Sequence, residues 1–345
     1  MPIRINILSK AEKVPAQGVG SASIEHNSLV NLSKELEISI NSKKNDFDIF
    51  HIHSVHLEHR LRMNKKHINI VDVHFIPRLN SGSVKLIKPA EWLLYTYTER
   101  MYRKADEIVV VNPIFIKEIM KIGIPEEKIT YMPNYVDKAN FYNLGLEKRL
   151  EIRKKHDIDE NRFVVLGCGQ IQTRKGVEDF VEIAKKCPDM LFVWAGGFPF
   201  GKITHGYKKF KKIVANPPAN VRFIGIISRE EMNEIYNMSD VLLLPSYMEL
   251  FPMTILESCN VGLPLLLRDL DLYKPILFDK YCRGSSIEGF IEQLIKLQNE
   301  NDYYLKSSQN SLEISNYYSK ERVLGLWEEY YQRIHLKHKK QEGKK

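Results

Sequence analysis

Residues 241–258 read VLLLPSYMELFPMTILES, and each part of that run has its own structural meaning. Val241 to Leu244 is a short apolar run of the kind that forms a strand covered on both faces of a parallel sheet. A helix is predicted to start near Met253 and Thr254. Glu249 then falls in the loop after the strand and Glu257 about one turn into the helix, with seven residues between them. Free amides and the helix dipole at such a start favour a bound diphosphate. The plainer alternative makes Glu249 a loop charge and Glu257 a surface helix residue; the proline, the preceding strand and the Lys175-Gly176 turn weigh against it.

The same short apolar runs recur along the chain, alternating with longer helical stretches. In the first half they are IRINIL, FDIFHIH, INIVDVH, EIVVVN and KITYMP; in the second, FVVLGCG, LFVWAGG, VRFIGI and DVLLLP. That alternation predicts an α/β protein of parallel sheets with helices on both faces. At 345 residues the chain suits two domains. The polar stretch between Tyr135 and Phe163 separates the two strand series, so the predicted domains are 1–148 and 149–319. A last helix, 320–338, has Val323, Leu324, Trp327, Tyr330, Tyr331 and Ile334 with which to dock, and could cross back to the first domain.

A formal net charge of +8 favours an anionic partner: nucleic acid, a phosphorylated substrate or acidic lipid headgroups. No nucleic-acid module is visible, so no nucleic-acid partner is expected. Cys168, Cys187, Cys259 and Cys282 are widely spaced, which indicates neither a zinc site nor a disulfide framework but a reducing, cytosolic setting. The N-terminus reads as a first strand rather than a signal peptide, and no run of apolar residues is long enough to span a bilayer.

In open parallel sheets ligands sit beyond the carboxyl ends of the strands. There the second half places GCGQIQTRKG, AGG, GIIS and PSYMELFPMTILE. Glycines let the backbone approach a ligand, Arg174 and Lys175 can neutralise phosphates, and two carboxylates can hold sugar hydroxyls. One phosphorylated, hydroxyl-rich ligand would use all of them. Three D-x-D strings, at Asp46, Asp157 and Asp269, fit a metal site equally well, so the string carries little information. His51 and His53 would share one face of a strand, but with His56 and His59 they have no acidic or cysteine partner at metal-ligand spacing. No metal and no cofactor is expected.

Taken together, the glycine loop AQGVGSA (16–22), VDVH (71–74), ADEIVVVN (105–112), MPNYVD (132–137), the G-x5-K-G turn (169–176) and the E-x7-E segment resemble glycosyltransferase family 4. That resemblance implies the GT-B fold, in which two Rossmann-like domains face a cleft, and a retaining transfer without metal. It gives Glu249 the transferred sugar, Glu257 the nucleotide ribose and Lys175 the donor diphosphate, with His74 beside the reacting sugar. A hydrogen-bonded structural histidine is the other reading of His74. The implied catalytic set is Glu249, His74 and Lys175; the implied donor set is Gly18, Gly20, Gln170, Arg174, Lys175, Phe251, Pro252, Met253, Thr254 and Glu257. Many relatives carry Arg where this chain has Gln170, so either Arg174 supplies that charge or the diphosphate is held more weakly.

The segment SVKLIKPAEWLLYTYTERMYRKAD (83–106) is predicted helical, its effective start set by Pro89. Leu86, Ala90, Leu93, Leu94, Tyr97 and Met101 gather on the side expected to pack on the sheet. Lys85, Lys88, Trp92, Tyr95, Tyr102 and Arg103 gather on the other, as in an interfacial helix that meets anionic headgroups. AQGVGSA, GQIQTRKG and GLPLLLRDLDLYKPILFDKY (262–281) are also similar to bacterial glucosyl- and diglucosyl-diacylglycerol synthases, a membrane-surface branch of the family. The expected activity is therefore transfer of glucose or galactose from UDP-glucose or UDP-galactose to a glycolipid, at the inner face of the cell membrane, by a peripheral protein. A soluble family 4 enzyme acting on a sugar or polysaccharide, a non-catalytic GT-B partner subunit and a GT-B epimerase are the alternatives.

Overall fold

The computed structural model describes residues 2–11, 18–76, 88–199, 201 and 204–342. Its strands fall into two six-stranded sheets, parallel throughout. The first holds β1 (Ile3–Leu8), β2 (Leu36–Ile40), β3 (Ile49–Ile52), β4 (Ile68–Val73), β5 (Glu107–Val110) and β6 (Ile129–Tyr131), in the order β2-β1-β3-β4-β5-β6. The second holds β7 (Val164–Cys168), β8 (Leu191–Ala195), β9 (Val221–Gly225), β10 (Val241–Leu244), β11 (Leu265–Arg268) and β12 (Cys282–Gly284), in the order β12-β11-β10-β7-β8-β9. Numbered within its own half and read backwards, that order is the 3-2-1-4-5-6 of a dinucleotide-binding sheet.

Helices fill the connections. In the first half they are α1 (Gly18–Val30), α2 (Leu57–Arg62), α3 (Lys88–Lys104) and α4 (Ile116–Met120). In the second they are α5 (Gly145–Lys155), α6 (Val177–Lys186), α7 (Tyr207–Ala215), α8 (Arg229–Met238), α9 (Met253–Val261), α10 (Lys274–Leu277), α11 (Ile287–Asn299), α12 (Asn301–Tyr317) and α13 (Lys320–Glu342). The nine apolar runs singled out in the sequence all form strands. The other three are β2, β11 and β12. β2 is an edge strand whose LEISI is broken by Glu37 and Ser39 and stays largely wet, while β12 is a three-residue edge.

Strand order explains why two places matter. Beyond the carboxyl ends of β7 and β10 the second sheet reverses its winding, and beyond β1 and β3 the first sheet does so. The loops after β7 and β10 are 169–176 and 245–252; His53 follows β3 directly. One sequence-predicted feature differs here. Gly18 and Gly20 lie in the first turn of α1 rather than in a loop, and residues 12–17 before them are outside the described residues.

The last helix, α13, lies on α1 and β1 of the first half. Val323, Trp327, Tyr330, Tyr331 and Ile334 are buried in one apolar cluster with Ile5, Ile7 and Ile70 of the first sheet and Leu242 and Leu265 of the second. Ser33 and Lys337 add polar ties, to Glu328 at 2.5 Å and to the buried Glu107 at 2.7 Å. This helix therefore couples the C-terminus to the N-terminal half by buried area rather than by its charged face. Trp327→Ala is expected to lower stability by about 3–5 kcal/mol. Leu336→Ala, on the exposed side of the same helix, is expected to change it by less than about 0.5 kcal/mol. Urea unfolding of both variants checks the contrast.

Candidate active site

Past β7 the backbone turns through Gly169, at φ 123°, and Gly176, at φ 68°, both conformations that favour glycine. At Gly176 the need is also steric, since a Cβ there would lie 2.1 Å from the carbonyl oxygen of Pro245. The two loops consequently touch: Tyr247 donates its backbone N–H to the Arg174 carbonyl at 2.8 Å. This contact sets Lys175 against the loop after β10, its side chain lying over Gly169.

Lys175 Nζ is 2.6 Å from Glu249 Oε1, and an Arg174 guanidinium nitrogen is 3.4 Å from Oε2 and 2.5 Å from the Met248 carbonyl. Glu249 is almost wholly buried. Burial pushes its carboxyl up, but Lys175 and Arg174 together outweigh that and hold it below its ordinary value. Arg174 thus lies beside Lys175 on the same carboxylate, where it can add charge that Gln170, half-buried after Gly169, does not carry.

Helix α9 begins right after this loop. Pro252 occupies its cap position and offers no side-chain acceptor, so the first-turn amides at Met253 and Thr254 have no side-chain cap. Phe251 is buried, its ring edge-on to Tyr318 at 5.3 Å, so it shapes the loop from behind. Asn112 after β5 and Asn134 after β6 donate to the carbonyls of Leu250 and Phe251 at 3.1 and 2.8 Å, which fastens the first half to this loop.

Glu257, four residues into α9 and buried, is held by partners that its sequence neighbourhood does not suggest. Tyr236 OH donates to Oε2 at 2.7 Å, and Arg229 at the start of α8 donates to Oε1 at 2.8 Å. The same guanidinium also pairs with Glu25 of α1, across the two halves, and lies 4.9 Å from the centre of the Phe141 ring. Burial opposes the charge on Arg229, but Glu257 and Glu25 outweigh it. Sequence reading missed Arg229, Tyr236 and Glu25, which are brought together by long-range packing; the only local sign is Arg229 at a serine-capped helix start.

His74 follows β4 in the first half and is half-buried. Its described partners are His53 and Asp72 of the same half, so it is not joined to Lys175 or Glu249. Burial lowers its imidazole to about 4, leaving the ring neutral at neutral pH. Of the three D-x-D strings, Asp48 accepts from the Arg4 backbone at 2.8 Å and Asp271 pairs with Lys274 at 2.7 Å, both structural uses.

The expected lipid-facing side of α3 needs correction. Tyr102 is buried, not exposed, and donates to the Phe75 carbonyl at 2.7 Å, because it sits one residue from Met101 on the turn that meets the sheet. Leu93 and Leu94, expected against the sheet, are exposed, at 63% and 39%. Tyr95 spends its hydroxyl on Glu91 at 2.6 Å, and Arg103 spends its guanidinium on the Ile122 carbonyl and Glu99. Trp92 and Lys88 are exposed as expected, and Lys85 lies outside the described residues.

Two known families match the chain. The one described as Glycosyltransferase Family 4 covers residues 19–140, and Glycosyl transferases group 1 covers 148–314. The alpha-galactosylglucosyldiacylglycerol synthase of Streptococcus pneumoniae is 39% identical over 96% of this chain and 90% of its own length. The chain belongs to glycosyltransferase family 4. It is a glycosyltransferase of GT-B fold. A processive diacylglycerol alpha-glucosyltransferase of Acholeplasma laidlawii is 26% identical over 69% of this chain and 70% of that protein. The Anabaena protein HepE, solved with UDP and glucose, superposes with a TM-score of 0.76 at 11% identity, covering 96% of this chain and 99% of that one. Sucrose-phosphate synthase of Thermosynechococcus elongatus gives 0.77 at 14%, with 96% and 99% covered; both are likenesses of fold.

The Arg229 bridge makes a pH-dependent expectation for this transferase. Burial already raises the Glu25 carboxyl above its ordinary 4.5, and Arg229 is the chief influence holding it back. In Arg229→Ala that carboxyl rises further. A carboxyl raised by folding destabilises progressively as pH rises through its folded value. The variant is therefore expected to lose about 3–5 kcal/mol near neutrality, and less near pH 4.5. Thermal unfolding at both pH values measures it; an equal loss at both would contradict the bridge.

Proposed function

We propose that this enzyme transfers glucose or galactose, with retention, from a UDP-sugar to glucosyl-diacylglycerol, with diacylglycerol as the alternative acceptor. The observation that carries this reading is the end-to-end likeness to the S. pneumoniae alpha-galactosylglucosyldiacylglycerol synthase. The diacylglycerol glucosyltransferase of A. laidlawii and the UDP-bearing neighbours of the same fold support it from the acceptor and donor sides.

In this reading Glu257, held in place by Arg229 and Tyr236, accepts from the ribose hydroxyls of the donor. Lys175, Arg174 and the uncapped amides at Met253 and Thr254 face the diphosphate, with Gly169 and Gln170 lining the approach and the Gly18–Gly20 helix start opposite. Glu249 holds the hexose, and His74, neutral, borders it. As the glycosidic bond to the diphosphate breaks, negative charge grows on the leaving oxygen, where Lys175 and the amides stabilise it. The departing diphosphate takes the acceptor hydroxyl's proton as that hydroxyl attacks from the same face. No protein nucleophile and no metal ion take part in the bond-breaking step.

The acceptor reading extends to a membrane surface. No helix among the described residues is long and apolar enough to cross a membrane. Lys104 at the end of α3 donates to the Arg60 carbonyl of α2 at 3.0 Å, and the two helices expose Leu57, Leu61, Trp92 and Leu93. Those apolar side chains, with Lys88 beside them, suit peripheral attachment to an anionic surface at the cytoplasmic face.

The test uses labelled UDP-glucose and UDP-galactose with vesicles that carry glucosyl-diacylglycerol or diacylglycerol, in neutral and anionic backgrounds, and mass spectrometry of the lipids. A glycolipid one hexose larger is expected, formed faster on anionic vesicles. Lys175→Met is expected to reduce turnover by about 10²–10³. No lipid product from any combination sinks the acceptor reading, and a wild-type rate in the lysine variant sinks the role given to Lys175.

A further inference from the structure

The first half carries a second convergence of chemistry, at its own switch point. In the register of β3 on β4, His51 pairs with Ile70 and Ile52 with Val71. The next pair along is therefore His53 and Asp72. Side chains two apart share a face, so His51, His53, Asp72 and His74 line one face of the sheet near the carboxyl ends of β3 and β4. From above, α1 brings His26 and α13 brings Tyr331. The acidic partner that the spacing of the histidines along the chain did not reveal comes from the neighbouring strand.

Three atoms of this group lie within 3.7 Å of one another. His53 Nδ1 is 2.9 Å from Asp72 Oδ2, His74 Nε2 is 3.4 Å from His53 Nδ1, and His74 Nε2 is 3.7 Å from Asp72 Oδ2. Ligand atoms about 2.0–2.1 Å from a tetrahedral zinc ion stand roughly 3.3–3.4 Å apart, and the three edges bracket that value. Hydrogen bonding alone explains the His53 edge, but at 3.7 Å His74 and the carboxylate are too far apart for one. The other ring nitrogen of His53 and the other carboxylate oxygen of Asp72 are already fixed by a second layer. His51 Nε2 meets Asp72 Oδ1 at 2.7 Å, His26 Nδ1 meets His53 Nε2 at 3.0 Å, and Tyr331 OH bridges His51 Nδ1 and His26 Nε2 at 2.7 and 3.1 Å. Outer contacts of this kind orient metal-bound imidazoles and carboxylates. A buried carboxylate calls for a cationic partner, and Asp72 meets imidazoles rather than a Lys or Arg. A cavity of about 20 Å³, lined by His26, His53, Asp72 and His74, adjoins the group and has room for a water as fourth ligand.

We propose that His53 Nδ1, Asp72 Oδ2 and His74 Nε2 bind a divalent cation of the zinc class, in a site distinct from the donor-binding loops. The two imidazoles and one carboxylate suit zinc, and the ion ties the ends of β3 and β4 together. Its task is structural: it fixes the ring of His74, while departure of the diphosphate stays with Lys175. In the proposed transfer His74 borders the sugar, but the site stands or falls on metal binding alone.

The experiment uses the full-length protein freed of any affinity tag. Metal content is measured by mass spectrometry, and zinc affinity of chelator-treated protein by competition with a chromophoric chelator. Cobalt(II) serves as the optical probe, since a tetrahedral site gives an intense visible band. A single zinc ion per chain, a tetrahedral cobalt spectrum and a zinc-dependent rise in the thermal midpoint are expected. His74→Ala and Asp72→Asn, which keeps shape, are each expected to weaken zinc by at least ~10–100-fold and to abolish the thermal shift. A wild-type protein that neither retains nor takes up zinc overturns the proposal and leaves a metal-free hydrogen-bond network. Unchanged affinity in His74→Ala overturns it as well, even if Asp72→Asn fails to fold.

Discussion

Two buried carboxylates at the mouth of one parallel sheet are each met by a cation. That pairing organises the second half of the molecule. Glu249 depends on Lys175, whose position depends on Gly176, which lets the loop after β7 approach Pro245 closely. Glu257 depends on Arg229, which also draws in Glu25 from the other half. Remove either cation and a buried charge is stranded, which costs more than the pair itself contributes. The donor side is thus built from charge pairs whose geometry is fixed by backbone approach, not by long flexible loops.

Across the cleft the first half is organised differently. At its switch point a face of imidazoles gathers around Asp72, closed by Tyr331. Since Tyr331 lies on the last helix, the end of the chain finishes a polar layer begun on β3. Trp327 packs against the same rings, 4.4 Å from His26 and 5.4 Å from His51. Asn112 and Asn134, after β5 and β6, then fasten this half to the loop before α9 through hydrogen bonds to backbone carbonyls.

Much of this was legible in the sequence, and the rest was hidden for physical reasons. Most of the parallel strands are buried on both faces, so nine announce themselves as apolar runs; β2 and β12 are edges that can stay polar or short, and β11, though buried, is only four residues long. Glu249, Lys175 and the start of α9 were readable because strand, turn and helix follow one another within a few residues. Arg229, Tyr236 and Glu25 were not, because what unites them with Glu257 is packing between α1, α8 and α9. The histidine face failed to show as a cluster because parallel pairing, not spacing along the chain, delivers Asp72. On α3, helical periodicity placed Tyr102 outward, yet the last turn next to Met101 is where the helix meets the sheet.

In the proposed reaction the two carboxylates divide the donor between them, Glu257 taking the ribose and Glu249 the hexose. Calorimetric titration of UDP and of UDP-glucose or UDP-galactose into Glu249→Gln and Glu257→Gln tests it directly. Glu257→Gln is expected to weaken the nucleotide and the sugar nucleotide alike, whereas Glu249→Gln weakens the sugar nucleotide and leaves UDP unchanged. Equal weakening of UDP by both variants would contradict that division.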